Sequence, residues 1–247
     1  MVESPLSDSE KRIGILLPSS NTTMEKEFSE IQMRMNVSFH YSRLRLQDVT
    51  EEALIQMEED TEKESQKLAD AHVEFILYGC TSGSLIKGLD YSKKISERIT
   101  GIAHVPAVTT SEAVLSACQK LDLDSMSILT PYTDHINQRE KDFFESQKKR
   151  VTAIQGYHIT DNTEIGLYSP DKTCQKAIDF FRKNPSEGLF ISCTNLLTME
   201  ILPSLEKKLC VPVFSSNAAS LFSILNELQL LSKSINAGLP DITLFTN

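Results

Sequence analysis

The chain has 247 residues, a formal net charge of −9, 40 % hydrophobic residues and 24 % charged residues. This length and composition are typical of a globular protein with one large or two smaller domains, and the acidic charge argues against nucleic acid as the main partner. The sequence holds no run of the roughly 18 apolar residues that a membrane span needs, and its polar beginning has no signal-peptide pattern, so we expect a cytoplasmic protein without membrane contact.

The first half of the chain alternates short apolar runs with longer amphipathic stretches, a pattern typical of strands and helices in turn. Strands are predicted at 12–17, 37–46, 73–78 and 105–108. Helices are predicted at 24–33, 53–71 and 111–121, with a short amphipathic segment within 88–101. Thr109, Thr110 or Ser111 is expected to cap the helix 111–121.

The second half shows the same alternation. Strands are predicted at 125–130, 152–159, 188–191 and 211–214, and helices at 136–149, 169–183 and 218–231. A further helix is expected to begin with Leu196 and Leu197, directly after Cys193-Thr194-Asn195. Strands alternating with helices imply parallel sheets, and ligands of such folds bind beyond the carboxyl ends of the strands.

A repeat relates the two halves. Three matching pairs have one and the same spacing along the chain, and each is at a predicted strand end or helix start: Pro18 and Pro131, Asp48 and Asp161, Cys80 and Cys193. A fourth pair, Val105-Pro106 and Val211-Pro212, has slipped to a shorter spacing. The repeat indicates a duplicated α/β unit with one cysteine in each copy.

Cys80 and Cys193 are the candidate catalytic residues. A cysteine at a strand end is commonly a packing residue, but these two occupy equivalent repeat positions and each precedes a threonine. A helix start after the cysteine is expected to lower the pKa of its thiol. The total of five cysteines is odd, which favours free thiols over a disulfide framework. Cys118, Cys174 and Cys210 are interpreted as packing residues.

Other polar residues follow the strands. The candidate substrate-binding residues are Asn21, Thr81, Ser82, Tyr132, Asn162 and Thr194. Asn21 and Asn162 could each be only turn residues, and Tyr132 could be a core aromatic. Two carboxamides at such loops would suit a ligand with a carboxylate at each end. The histidines and cysteines show no metal-ligand spacing, so no metal is expected.

Three motifs carry a resemblance to a known family: Pro18-Ser19-Ser20-Asn21-Thr22-Thr23-Met24-Glu25, Gly79-Cys80-Thr81-Ser82-Gly83 and Ser192-Cys193-Thr194. Over nearly its whole length the chain resembles the Asp/Glu racemase superfamily, in particular the maleate cis–trans isomerase branch, which is related to arylmalonate decarboxylase. Tyr132 and Asn162 match the substrate-contacting tyrosine and asparagine of that branch. The decarboxylase relatives keep only the second thiol, so the presence of Cys80 disfavours decarboxylation.

The resemblance implies two pseudo-symmetric α/β/α (Rossmann-like) domains with parallel four-stranded sheets and an active site in the cleft between them. It implies that the last helix returns to the first half, so that residues 1–110 plus 217–247 form one domain and residues 111–216 the other. It also implies chemistry without metal or organic cofactor. Leu197 stands where many isomerases are expected to have a basic residue, which leaves the identity of the substrate open.

The function predicted from these features is the isomerisation of maleate, or a similar small dicarboxylate, through a thioether on Cys80 with Cys193 as second thiol. A two-thiol amino-acid racemase is the enzymatic alternative, because one thiol could remove an α-proton and the other deliver it. A small-ligand-binding protein with inert cysteines is the other alternative. A homo-oligomer is only the default expectation, since the sequence defines no interface.

Overall fold

Two four-stranded parallel sheets form the framework of the computed structural model, which describes residues 10–236 and 244–245. The first half contains β1 (Lys11–Pro18), α1 (Thr23–Gln32), β2 (Val37–Leu44), α2 (Glu51–Met57), a 3-10 helix (Glu58–Asp60), α3 (Thr61–Asp70), β3 (Phe75–Tyr78), α4 (Thr81–Leu85), α5 (Leu89–Ala103) and β4 (Ala107–Thr109). The second half contains α6 (Thr110–Lys120), β5 (Ser125–Thr130), α7 (Asp134–Ser146), β6 (Arg150–Gly156), α8 (Asn162–Gly166), α9 (Pro170–Lys183), β7 (Gly188–Ile191), a 3-10 helix (Met199–Ile201), α10 (Leu202–Leu209), β8 (Val213–Ser215), α11 (Ser216–Glu227) and α12 (Leu231–Asn236). The predicted fold class is confirmed.

The two sheets have the same strand order, β2-β1-β3-β4 and β6-β5-β7-β8. The strands that precede the two cysteines, β3 and β7, are inner strands, and every residue in them is buried. Their continuous apolar sequences suit strands that are covered by helices on both faces. The carboxyl ends of β3 and β7 are therefore rigid, buried positions from which a side chain can be aimed.

The duplication is visible in the hydrogen bonds. The Gly79 N–H donates to Leu16 O, and the Ser192 N–H, at the equivalent place in the second half, donates to Leu129 O, both at 2.8 Å. The equivalent residues Asp48 and Asp161 meet each other in an isolated antiparallel bridge. In that bridge Val49 N–H donates to Thr160 O at 2.8 Å and Asn162 N–H donates to Gln47 O at 3.0 Å. An antiparallel contact between equivalent residues is what a local two-fold axis between the halves produces.

Two predicted helices differ from the structure. The helix predicted over 53–71 is divided into α2 and α3 by the 3-10 helix Glu58–Asp60. Tertiary contacts hold this segment, since Glu58 pairs with Arg98 and Asp60 accepts a hydrogen bond from the Arg45 N–H. The helix predicted to follow Cys193 directly is wrong, because the chain makes a turn and the first 3-10 residue is Met199.

The boundary between the two halves runs near α6 and α11. The cap of α6 is Thr109, which forms a capping box with Glu112, and the equivalent cap of α11 is Ser215. The two helices pack against each other, and α11 also reaches β3 of the first sheet. The division into residues 1–110 plus 217–247 and residues 111–216 stays a prediction, and its parts 1–9, 237–243 and 246–247 lie outside the described residues. Within the described ranges, no helix has the length and apolar character to cross a bilayer.

Candidate active site

The carboxyl ends of β3 and β7 bring the two predicted cysteines to one buried region. Cys80 is 4 % exposed and Cys193 is 5 % exposed. The Ser216 hydroxyl at the start of α11 joins their neighbourhoods, because it accepts a hydrogen bond from Thr81 Oγ1 at 2.8 Å and another from the Cys193 N–H at 3.0 Å. The sulfurs interact electrostatically, since a charge on Cys80 raises the pKa of Cys193.

Cys80 is the N-cap of α4. Its sulfur accepts a hydrogen bond from the Gly83 N–H at 3.3 Å and lies 3.8 Å from the Ser82 hydroxyl. A Cβ on Gly83 would lie 2.6 Å from the Met57 methyl and 3.0 Å from this sulfur, so a larger residue would have to displace Met57 and would crowd the thiol. Burial raises the pKa of the Cys80 thiol to about 11, although the Gly83 N–H and the Ser82 hydroxyl oppose the rise.

Cys193 follows β7 by two residues and has a strained main-chain conformation. Its φ of 103° is a value that non-glycine residues rarely adopt, and such strain is concentrated at functional sites. The sulfur accepts a hydrogen bond from the Asn195 N–H at 3.3 Å, and the Tyr132 hydroxyl lowers its pKa through a further hydrogen bond. Burial nevertheless raises the pKa of this thiol to about 12.

The expectation that a helix start lowers the pKa of each thiol is therefore wrong. α4 has only five residues, and no helix begins directly after Cys193. Burial is the largest influence on both thiols, and among the described residues no cationic side chain offsets it. Both cysteines rest as neutral thiols because the free-energy cost of ionising a buried sulfur exceeds the stabilisation that hydrogen bonds from one or two N–H groups provide.

Asn21 and Thr194 form one hydrogen-bonded unit across the two halves. Asn21 Oδ1 accepts from the first N–H groups of α1, those of Thr23 and Met24, at 3.0 and 3.1 Å. Its amide nitrogen donates to Thr194 Oγ1 at 3.0 Å, and this hydroxyl donates to Gly79 O at 3.0 Å. The loop after β1, the turn after Cys193 and the residue before Cys80 are thus joined.

Asn162 and Tyr132 complete the predicted set. Asn162 is buried. Its side-chain amide nitrogen donates to the Ser20 hydroxyl at 2.8 Å, and its main-chain carbonyl accepts from Asn195 Nδ2 at 2.5 Å. Tyr132 is 1 % exposed, and burial together with the charge of Cys193 raises its pKa well above the usual range. All eight predicted site residues are buried.

Several acidic and basic residues near the strand ends lie outside this region. Asp134 is 89 % exposed, and Asp161 and Glu164 are also exposed at the start of α8. His135 is exposed and pairs with Glu51 of α2. Leu197 is half-buried in the turn after Cys193. Over residues 10–236 and 244–245, no group of three or more His, Cys, Asp or Glu side chains is arranged to hold a metal ion.

The polar residues of this region that were not predicted as site residues include Glu27, Glu140 and Ser216. Both glutamates are buried on the core-facing stripe of their helices, α1 and α7. A charged residue on an apolar stripe was the signal that could have found them. Ser216 follows β8, and the rule that ligands bind beyond strand ends would have included it.

The sequence of this chain is similar to those of known proteins. A sequence model of the family named for arylmalonate decarboxylase matches residues 13–239. A maleate isomerase of Geobacillus stearothermophilus is 26 % identical over 239 residues, which cover 92 % of this chain and 95 % of the relative.

Two solved structures of an enzyme from Nocardia farcinica are similar to the structure of this chain. The maleate cis–trans isomerase bound to TRIS has a TM-score of 0.84 and 25 % identity, with 89 % of this chain and 93 % of that chain covered. A Cys-to-Ser mutant of the same enzyme, which carries a covalently bound succinylcysteine intermediate, has a TM-score of 0.84 and 24 % identity at the same coverage.

Proposed function

This chain belongs to the arylmalonate decarboxylase family, as the match over residues 13–239 shows, and from that membership we propose that it isomerises maleate, or a similar small cis-dicarboxylate, to the trans form. The observation that carries the proposal is the pair of buried thiols at equivalent strand ends, whose neighbouring groups, the Thr81 hydroxyl and the Cys193 N–H, both donate to the Ser216 hydroxyl. The family also contains a decarboxylase. The relatives of this chain that are named maleate isomerase, together with the succinylcysteine of the Nocardia mutant, nevertheless favour two-thiol chemistry on a C4 diacid.

Cys80 is the proposed nucleophile. Its thiolate forms a bond to one alkene carbon while the π bond breaks, and the electron pair moves to the adjacent carbon and its carboxylate. The developing charge lies near the hydroxyls of Thr81 and Ser82 and near the main-chain N–H groups of this strand end. Because the resting thiol is neutral, the attacking thiolate is a minor species that forms when Cys80 gives its proton to water before the substrate closes the site, and Cys80 takes a proton back from water after the product leaves.

Cys193 is the proposed acid and base. Its S–H protonates the adjacent carbon, which gives a succinyl thioether and leaves a thiolate on Cys193. The central carbon–carbon bond is then single and rotates. After the rotation the Cys193 thiolate takes the other hydrogen of this CH2 group as a proton, the double bond re-forms in the trans geometry, and the Cys80 thiolate leaves.

The carboxylates are proposed to bind at the polar residues around the thiols. The amide nitrogens of Asn21 and Asn162 each carry a second hydrogen besides the one donated to Thr194 or Ser20. The Tyr132 hydroxyl lies beside Cys193 and is held protonated, so that it remains a donor. Thr194 fixes the orientation of Asn21 through the hydrogen bond that it accepts.

The racemase alternative needs a carboxylate partner for the substrate ammonium group. Asp134, Asp161 and Glu164, which follow β5 and β6, are exposed, whereas both thiols are buried, and burial raises the pKa of the nearby carboxyl of Glu140 to about 8. Placing an ammonium group in this site without a carboxylate partner would be costly.

The test is proton NMR in deuterated buffer with maleate and with both enantiomers of aspartate and glutamate. We expect fumarate signals with maleate, strong loss of activity in Cys80→Ser and Cys193→Ser, and unchanged activity in Cys210→Ser, because Cys210 is exposed at the end of α10. In Cys193→Ser, intact-mass analysis with maleate should show a protein heavier by one maleic acid. Exchange of an amino-acid α-proton without any fumarate from maleate would instead support the racemase, and silence with every substrate would reject both enzymes.

A further inference from the structure

A second pair of equivalent residues is buried: Glu27 of α1 and Glu140 of α7 have the same spacing along the chain as the two cysteines. Glu27 is well satisfied. Its carboxylate accepts hydrogen bonds from the N–H groups of Thr198 and Met199 at 2.7 and 2.8 Å and from Asn217 Nδ2 at 2.5 Å. These bonds hold the turn that follows Cys193.

Glu140 has the same position in the repeat but a different environment. Its residue exposure is 0 %, and neither carboxyl oxygen has a hydrogen-bond partner among the described residues. In this copy the segment after the cysteine is α4, which packs against α7 and uses its own N–H groups, such as that of Ile86 to Ser82 O at 3.1 Å. The main-chain N–H groups equivalent to those that bind Glu27 therefore form hydrogen bonds within the α4 segment, and they are not available to Glu140.

The groups around Glu140 belong to the catalytic region. Ser192, directly before Cys193, is buried with no partner at full hydrogen-bond geometry, but its hydroxyl lies close enough to Glu140 to lower the pKa of that carboxyl against the effect of burial. Tyr132 and Cys193 are the titratable groups that feel its charge. α4 carries no titratable side chain, and the charged residue of β6, Arg150, is exposed at the amino end of that strand.

We propose that Glu140 is a positioning residue that must be uncharged for Cys193 to give up its proton to the substrate carbon. The inference rests on the proposed role of Cys193 as the acid. When the S–H bond breaks, sulfur keeps the electron pair, and a carboxylate behind it would oppose the new charge. A neutral carboxylic acid does not, and Glu140 keeps its own proton throughout the cycle.

The electrostatics of the free protein agree with this role. Burial raises the pKa of Glu140 to about 8, so the group is mainly neutral at pH 7 and becomes ionised in mildly alkaline solution. Once ionised, it raises the pKa of Cys193. The ease with which Cys193 loses its proton should therefore depend on the titration of Glu140 as well as on that of Cys193 itself.

The test measures alkylation of Cys193 by iodoacetamide, followed by peptide mass spectrometry, in the wild type and in Glu140→Gln. Near pH 6.5 both proteins should react at the same rate, and near pH 9.5 the variant should react about tenfold faster, because removal of a like charge lowers a thiol pKa by about one unit. Glu206→Gln is the matched control, since this half-buried carboxyl on α10 also has a raised pKa and accepts from the Val213 N–H. It should show no difference at either pH.

Carbon-13 NMR of the glutamate side chains measures the titration of Glu140 directly in the wild-type protein. In the wild type the Glu140 δ-carbon should titrate with a midpoint near 8, and the signal should be missing in Glu140→Gln. A midpoint below about 5, or an alkylation ratio that is the same at both pH values, overturns the proposal. Neither measurement uses maleate, so a lack of maleate turnover would reject the proposed function without deciding the coupling.

Discussion

Removing the Glu27 carboxylate should destabilise the protein strongly and loosen the turn that carries Cys193. In Glu27→Ala the buried N–H groups of Thr198 and Met199 lose their acceptor, whereas Asn217 Nδ2 keeps a bond to Thr194 O at 3.0 Å. At about 1–3 kcal/mol for each buried donor left unpaired, the free energy of unfolding should fall by about 2–6 kcal/mol.

Glu27→Gln is the matched control for this prediction. The glutamine oxygen can still accept from both N–H groups, but its NH2 group would face Asn217 Nδ2, so two donors would meet. The loss should be less than half of that in Glu27→Ala. Urea denaturation followed by circular dichroism measures both values, with an unchanged m-value as the sign that the two-state comparison holds. A loss of less than about 1 kcal/mol in Glu27→Ala would show that water or a shifted turn replaces the carboxylate, and the reasoning would fail.

The buried Cys80 thiol and the tightly packed Gly156 give two further predictions. Alkylation of Cys80 by iodoacetamide should become about tenfold faster for each pH unit between about pH 7 and pH 10, because a thiol with a pKa of about 11 is mainly neutral over that range; a plateau near neutral pH would contradict the raised pKa. Gly156→Ala should destabilise the protein by about 1–3 kcal/mol and displace Tyr132, since the added Cβ would lie 2.1 Å from the Tyr132 carbonyl oxygen. Gly101→Ala is its control: nothing lies within 4 Å of the added Cβ in α5, and thermal melting should show a gain of about 0.5–1 kcal/mol. Equal melting temperatures for the two variants would refute the steric argument.

Local pattern predicted the strands and the duplication, whereas the two four-stranded domains were implied by the family resemblance. The alternation of apolar runs with amphipathic stretches predicted the eight strands as parallel, and the constant spacing between matching pairs predicted that the halves are copies. Because Cys80 and Cys193 occupy equivalent repeat positions after a strand, the same pattern indicated that each thiol lies at the carboxyl, ligand-binding end of its own sheet. Such features depend on side-chain periodicity and chain direction, which are properties of short segments.

Tertiary structure decided what the site can do. The pKa values of Cys80 and Cys193 are raised because both thiols are buried, and burial depends on segments far away in the chain. Cys193 lies in a turn instead of before a helix, held by Glu27 from the other half. Glu27 and Glu140 have the same place in the repeat, yet only Glu27 finds donors, because its neighbouring segment is a turn and that of Glu140 is a helix. Desolvation and hydrogen-bond satisfaction are sums over all neighbours in space, so one position in a repeated sequence can lead to a held carboxylate in one half and a neutral acid in the other.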